Sequence, residues 1–166
     1  MKTIVAVDKN WGIGKKNGLL FELKLDMAHF KQNTLGKVVV MGSNTLFSFP
    51  GGKPLPRRTN IVLYPDGEAI EGCVVVQSLQ ELSTVLKGYP TDDVYIVGGA
   101  MFYRTMLDYC DYAYITKVDA DGDAEVFFEN LDCREGWELI EEGEELIDEG
   151  YPIRFTVYKN NDIKPF

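Results

Sequence analysis

The spacing of apolar positions divides the chain into alternating strand-like and helix-like stretches. Thr3 to Val7 is a short β-rich run that ends at Asp8 and predicts a buried strand. Val38-Val39-Val40-Met41 is apolar at every position, as expected of a central parallel strand covered on both faces. Asn60 to Leu63, Cys73 to Val76, Val94 to Val97 and Tyr112 to Val118 read as further strands. Between them lie helical patterns. At ~100° per residue, Leu23, Asp26, Met27, Phe30 and Thr34 share one side of a helix that stops near Leu35-Gly36. Ser43-Asn44-Thr45 offers N-cap residues for a short helix through Phe47. Ser78-Leu79-Gln80-Glu81 is a capping box for a helix to about Leu86, and Met101 to Leu107 reads as another.

The chain closes differently. Trp137 to Ile140 and Tyr151 to Tyr158 read as an antiparallel pair, the second alternating Tyr151, Ile153, Phe155 and Val157 with Arg154 and Thr156. The acidic connection from Glu141 to Gly150 reads as a solvated loop, and the segment from Lys159 as a loose polar tail. The expected fold is therefore α/β: a single mixed, mostly parallel sheet with an antiparallel C-terminal strand pair, flanked by helices. One domain over residues 1–160 and a polar tail over 161–166 are expected, with no repeat or linker.

Composition narrows the class. The 166 residues are 45% hydrophobic, enough for a packed core, and the formal net charge of −9 argues against nucleic acid and anionic membrane as partners. Cys73, Cys110 and Cys133 are odd in number and show no CxxC pattern, so they read as reduced thiols of a cytoplasmic protein. The N-terminal apolar run is too short for a signal peptide, and no 18-residue apolar stretch occurs. His29 is the only histidine, which removes a His-based triad or a His-rich metal site. Asp119 to Glu125 resembles a calcium loop, but its glycine and the acid twelve positions on are misplaced, so no metal is expected.

The candidate chemistry lies between Trp11 and Phe30, where a loop punctuated by Gly12, Gly14 and Gly18 runs into the first helix. Asp26 falls on the apolar side of that helix, where an unpaired carboxylate is costly. It either serves the helix N-terminus as a first-turn acid or faces a ligand at the floor of a pocket. Two strand-to-helix turns, at Gly42-Ser43 and Gly98-Gly99-Ala100, suit phosphate binding at helix starts, although neither carries a full GxGxxG. The loop from Pro50 to Arg58 sets Lys53, Arg57 and Arg58 in an acidic protein, as a clamp for a substrate carboxylate or as a solvated loop.

Together these motifs resemble the dihydrofolate reductase family over essentially the whole chain. The resemblance rests on Ala6-Val7-Asp8 with Gly12-Ile13-Gly14, Asn17, Asp26 to Lys31, Met41-Gly42, Thr45 and Pro54 to Ile61. It continues in Val97 to Ala100, Tyr103, Thr116 and Phe155-x-x-Tyr158. It implies hydride transfer from NADPH to 7,8-dihydrofolate in one-carbon and thymidylate metabolism, by a monomer that antifolates would also bind. Asp26, helped by Thr116, would hydrogen-bond the pterin, with the carbonyls of Ile4 and Val97 on the polar rim. Ala6, Met27, Phe30, Phe49 and Leu55 would supply apolar contacts, and Arg58 would grip the glutamate tail. The loop from Gly14 to Phe21, with Ile13 and Leu19, would close over the nicotinamide. Gly42, Ser43, Asn44, Thr45, Leu63, Tyr64 and Gln77 would line the cofactor cleft with Ala6, Gly98, Gly99, Ala100, Met101, Phe102 and Tyr103.

This chain departs from the family pattern in places. Leu20-Phe21 stands where Pro-Trp is usual, so Phe21 takes the tryptophan's catalytic position without its N–H. Lys24 stands where a Pro is common, Glu125 for an Asp and Glu129 for a Pro. Ser43, Tyr64-Pro65 and Gln77 occupy the places where the family commonly meets the 2′-phosphate of NADPH with a basic residue, a hydroxyl or Arg, and often a Lys, and none of them is cationic. A related-fold reductase of riboflavin synthesis and a non-catalytic pterin or nucleotide binder are the competing readings.

Overall fold

The computed structural model describes residues 1–16 and 18–166, so Asn17 lies outside the described residues. The first half runs β1 (Lys2–Val7), β2 (Gly12–Gly14), α1 (Lys24–Thr34), β3 (Val38–Gly42), α2 (Ser43–Ser48), β4 (Thr59–Leu63) and β5 (Cys73–Val76). The second runs α3 (Leu79–Leu86), β6 (Val94–Gly98), α4 (Ala100–Met106), β7 (Tyr112–Val118), β8 (Val126–Phe127), β9 (Trp137–Glu142), β10 (Leu146–Asp148) and β11 (Tyr151–Asn160). Among the described residues nine strands form one sheet in the order β10-β11-β7-β1-β6-β3-β4-β5, with β9 also on β11. Five pairings are parallel, from β7 through β5, because helices or long crossovers separate those strands in sequence. The three pairings made by β11 are antiparallel.

β3 shows why the centre of the sheet reads as a continuous apolar run. Val38 and Val40 join the core on one face, with Leu82 and Leu86 of α3 and Phe102 and Met106 of α4. Val39 and Met41 join the core on the other face with Leu46 of α2. Val39, Val40, Met41, Ile61, Val62 and Ile96 are 0% exposed, and each contributes roughly 1.5–3 kcal/mol relative to an exposed position. α3 begins as its capping box predicts: Ser78 Oγ accepts the Glu81 N–H at 3.1 Å. The Glu81 carboxylate reaches back one residue further than the motif requires, to the Gln77 N–H at 2.8 Å.

Three sequence expectations are corrected. The Glu141–Gly150 connection is exposed as expected but is not all loop, since β9 extends to Glu142 and β10 pairs with β11, burying Asp148 to 3% exposure. The tail is docked: the Lys164 N–H donates to the Asp108 carbonyl at 2.9 Å, and the Phe166 ring meets Tyr109 at 4.8 Å. The glycine-rich loop contains a strand, β2, which pairs antiparallel with β8. Gly12 is required there, because a Cβ would collide with the Ala124 Cβ and stand 3.0 Å from the Asp8 carboxylate.

Candidate active site

Helix α1 begins without a cap of its own. Its N-cap residue is Leu23, which has no side-chain acceptor, so the amides of the first turn need a partner from elsewhere. Asp148 of β10 supplies it, one carboxylate oxygen accepting from the Leu25 N–H at 2.9 Å and the Asp26 N–H at 3.1 Å. Asp26 is therefore not the residue that caps the helix. Its carboxylate is released from capping and accepts instead from the Thr116 hydroxyl of β7 at 2.7 Å. Loss of water around the carboxyl is the main cause that raises its pKa above the usual aspartate value; the Thr116 hydrogen bond opposes this and the charge of Asp148 reinforces it. Among the described residues no cation comes within salt-bridge distance of Asp26.

The register Ala6↔Thr116↔Phe155 puts these three side chains on the sheet face that α1 covers. His29 of α1 stacks on Phe155 at 4.1 Å and anchors the helix over that face. Phe30 is half-buried and Met27 is 59% exposed, so the apolar side of α1 is only partly covered by protein. Phe49, Leu55 and Val97 pack against Val39, Met41, Leu46 and Val62 on the same side. The Ile4 carbonyl accepts the Tyr103 hydroxyl at 2.9 Å and retains a second lone pair. Asp26 thus lies beside apolar side chains of α1 that protein covers only in part.

Arg57 and Arg58 part company. Arg57 is exposed with φ 57°, whereas Arg58 turns back onto α1, its Nη1 donating to Thr34 Oγ1 at 3.1 Å and its Nε to the Pro56 carbonyl at 3.0 Å. The loop that carries it is stapled by the buried Asn60, whose amide donates to the carbonyls of Leu55 and Arg58 and accepts the Leu55 N–H. Sequence reading assigned no role to Asn60; the turn-forming loop directly before a buried polar strand residue was the available signal.

The C-terminal ends of β3, β4, β5 and β6 form one edge carrying Ser43, Tyr64, Gln77 and Gly98-Gly99. Ligands bind at this edge in open α/β sheets. Thr45 of α2 lies against the two glycines so closely that a Cβ on either would stand 3.2 Å from its Oγ1. The starts of α2 and α4 carry no side-chain cap, and the Gly98–Gly99 peptide is cis. Met101 projects into open space at 80% exposure, while Phe102 and Tyr103 are buried in the core, so only the backbone of Phe102 can meet a ligand. Gln77 is half committed: its side-chain amide donates to the Gly67 carbonyl at 3.1 Å and its backbone N–H to Glu81.

The glycine-rich loop is latched from one side. Asp8, 3% exposed, accepts from the amides of Asn10, Gly12 and Gly122 at 2.8, 2.7 and 3.0 Å. The Glu125 N–H donates to the Gly14 carbonyl at 2.9 Å, and its carboxylate accepts from the Lys16 N–H at 2.7 Å. The acidic Asp119–Glu125 run is thus a strap on the glycine-rich loop. Ile13 is half-buried in this pairing and Leu19 is exposed. Phe21 packs on Tyr151 at 4.7 Å, a purely apolar contact with no donor to offer the pocket.

The family model described as dihydrofolate reductase matches residues 1–160. The chain belongs to the dihydrofolate reductase family. It is 34% identical over 163 residues to a dihydrofolate reductase of Bacillus subtilis, covering 96% of this chain and 94% of that one. With the Haemophilus influenzae dihydrofolate reductase it shares 35% over 156 residues, 93% of this chain and 94% of the other. A solved Enterococcus faecalis dihydrofolate reductase, complexed with NADP(H) and RAB-propyl, superposes with a TM-score of 0.84 at 31% identity, covering 97% and 96% of the two chains. Membership accounts for the mixed sheet with its antiparallel end. The amide-holding roles of the buried Asp148 and Asp8 had no local signal in the sequence, because the amides they bind are set by the fold.

Proposed function

We propose that the protein reduces 7,8-dihydrofolate to tetrahydrofolate with a hydride from NADPH, and that Asp26 is the acid that binds and polarises the pterin. The observation that carries this is a single carboxylate, held among the described residues only by the Thr116 hydroxyl, beside the partly uncovered apolar side of α1. A heterocycle with an amino group and an adjacent ring N–H complements that carboxylate, and flat apolar walls complement its faces. Bound NADPH supplies the hydride, which demands orientation and exclusion of water but no protein nucleophile. The glycines at 98 and 99, which leave room that a Cβ would fill, and the uncapped starts of α2 and α4 fit a pyrophosphate; Ser43, Tyr64 and Gln77 fit the adenosine end.

Asp26 holds the pterin by charge and hydrogen bonding, and its raised pKa keeps a proton available near the ring at a less acid pH than an exposed aspartate would. The proton reaches the reduced nitrogen through water. Arg58, with no protein acceptor on Nη2 among the described residues, offers the free side of its guanidinium to the glutamate α-carboxylate. Latched by Glu125 through Gly14 and Lys16, the closing loop shields the reacting rings. The catalytic unit is one domain, residues 1–160, acting as a cytoplasmic monomer. No described helix is long and apolar enough to cross a membrane. The test follows nicotinamide absorbance with NADPH and dihydrofolate. Turnover that collapses in a folded Asp26→Asn variant supports the assignment, and near-normal turnover in that variant refutes it.

A further inference from the structure

We propose that Asp148 is a positioning residue for this reaction: it clamps the helix turn that carries Asp26 and holds a second negative charge beside that carboxylate. The first half of the argument is geometric. Leu23 at the N-cap cannot accept a hydrogen bond, and the amides at the second and third helical positions are those an N-cap side chain serves. Both go to one oxygen of Asp148, 123 and 122 residues away in sequence. One of them is the amide of Asp26 itself, so the backbone that aims the pocket acid is pinned by β10. Asp148 is 3% exposed and sits in a strand paired to β11, whose Phe155 in turn stacks on His29 of α1. The C-terminal hairpin therefore grips α1 at its start and in its middle.

The second half is electrostatic, and it rests on the reading of Asp26 as the pterin-binding acid. Around Asp26 stand Thr116 of β7, Asp148 of β10 and the Tyr103 hydroxyl of α4, whose pKa is raised by burial and by the Asp26 charge. On α1 itself, Lys24 is exposed and paired with Glu149 at 3.7 Å, and His29 is half-buried with a lowered pKa. Asp148 is the charged neighbour that acts on Asp26, and like charge favours the protonated carboxyl. An uncharged cap would still accept both amides, though less strongly, without this effect. The carboxylate in place of an amide or hydroxyl thus biases Asp26 toward holding a proton.

Two variants separate clamp from charge. Asp148→Asn keeps an oxygen that can accept the two amides and removes the charge; Asp148→Ala removes both. Two readouts are taken at low salt: the pH dependence of the hydride-transfer rate in single turnover, and the protonation of Asp26 in the ligand-free protein by carboxyl infrared or ¹³C titration. Both variants shift the Asp26 titration midpoint to lower pH, and the midpoint of the rate profile moves with it. Asp148→Ala in addition lowers Tm by roughly 3–8 °C, whereas Asp148→Asn loses less. An Asp26 titration that stays in place in both variants overturns the proposal. If that titration moves while the rate profile does not, the charge effect stands and the assignment of Asp26 to the reaction fails.

Discussion

Replacing Arg58 by alanine separates binding of a remote substrate group from the chemistry at the ring. The guanidinium spends Nε on the Pro56 carbonyl and Nη1 on the Thr34 hydroxyl, and among the described residues the remaining edge has no protein acceptor. A hydrogen bond from a charged donor contributes ~1.5–3 kcal/mol, and a remote carboxylate is gripped alike in ground and transition state. KM for dihydrofolate should therefore rise on the order of 10- to 150-fold with kcat changed less than threefold. Loss of the two protein contacts should cost ~1 kcal/mol of stability, a small drop in Tm that leaves the fold intact. Arg57, exposed and at φ 57°, serves as the control, and Arg57→Ala should leave KM within about twofold. A dihydropterin lacking the glutamyl tail closes the cycle: Arg58→Ala should not affect its kinetics. An equal loss of kcat, or a loss that persists with the tail-free substrate, would refute the argument.

Four further outcomes can be checked. Asp26→Asn should raise Tm at neutral pH, because the raised pKa makes the folded ionised carboxyl a destabilising group; the gain should shrink as pH falls through the raised folded value and vanish below the unfolded value of 3.8. Asp8→Ala should strip three amides of their acceptor and lower Tm on the order of 6–12 °C, read by calorimetry. NADPH should remain preferred over NADH but weakly. Two missing cationic contacts at ~1–2 kcal/mol each lower that ratio roughly 30- to 1,000-fold, and a preference beyond about a thousandfold in kcat/KM would show a cation reaching the phosphate. Glu125→Ala should lower kcat more than it raises KM for dihydrofolate, since Glu125 touches the Lys16 amide of the closing loop and not the pocket.

The strands that form the parallel centre were legible because burial on both faces leaves an unmistakable apolar run, as at Val38 to Met41. Asp26 was legible for the opposite reason, being a charged residue on an apolar helical side. β2, β8 and β10 were not. Each has two or three residues, too few for a period to emerge, and each exists only because a distant strand supplies its hydrogen bonds. Asp148 was hidden twice over, inside an acidic segment whose other carboxylates are solvated and in a strand with no pattern of its own. Its partners lie more than a hundred residues away, and no local signal encodes them.

Those hidden elements share one function in the fold. The parallel centre builds a rigid edge, but it does not by itself place α1 or hold the glycine-rich loop. α1 depends on β10 for its first-turn amides and on Phe155 of β11 for a ring to stack on. The loop depends on Asp8, Gly122 and Glu125 for its closure. Each anchor is a few hydrogen bonds at the sheet's antiparallel end or in short surface strands, where local opening costs far less than global unfolding. The buried Asp8 aside, substitutions there should move turnover and the pH profile before they move Tm by comparable free energy, whereas core substitutions such as Val40→Ala should do the reverse. Asp148→Asn and Val40→Ala, measured together for kcat and for Tm, set the two kinds of residue against each other directly.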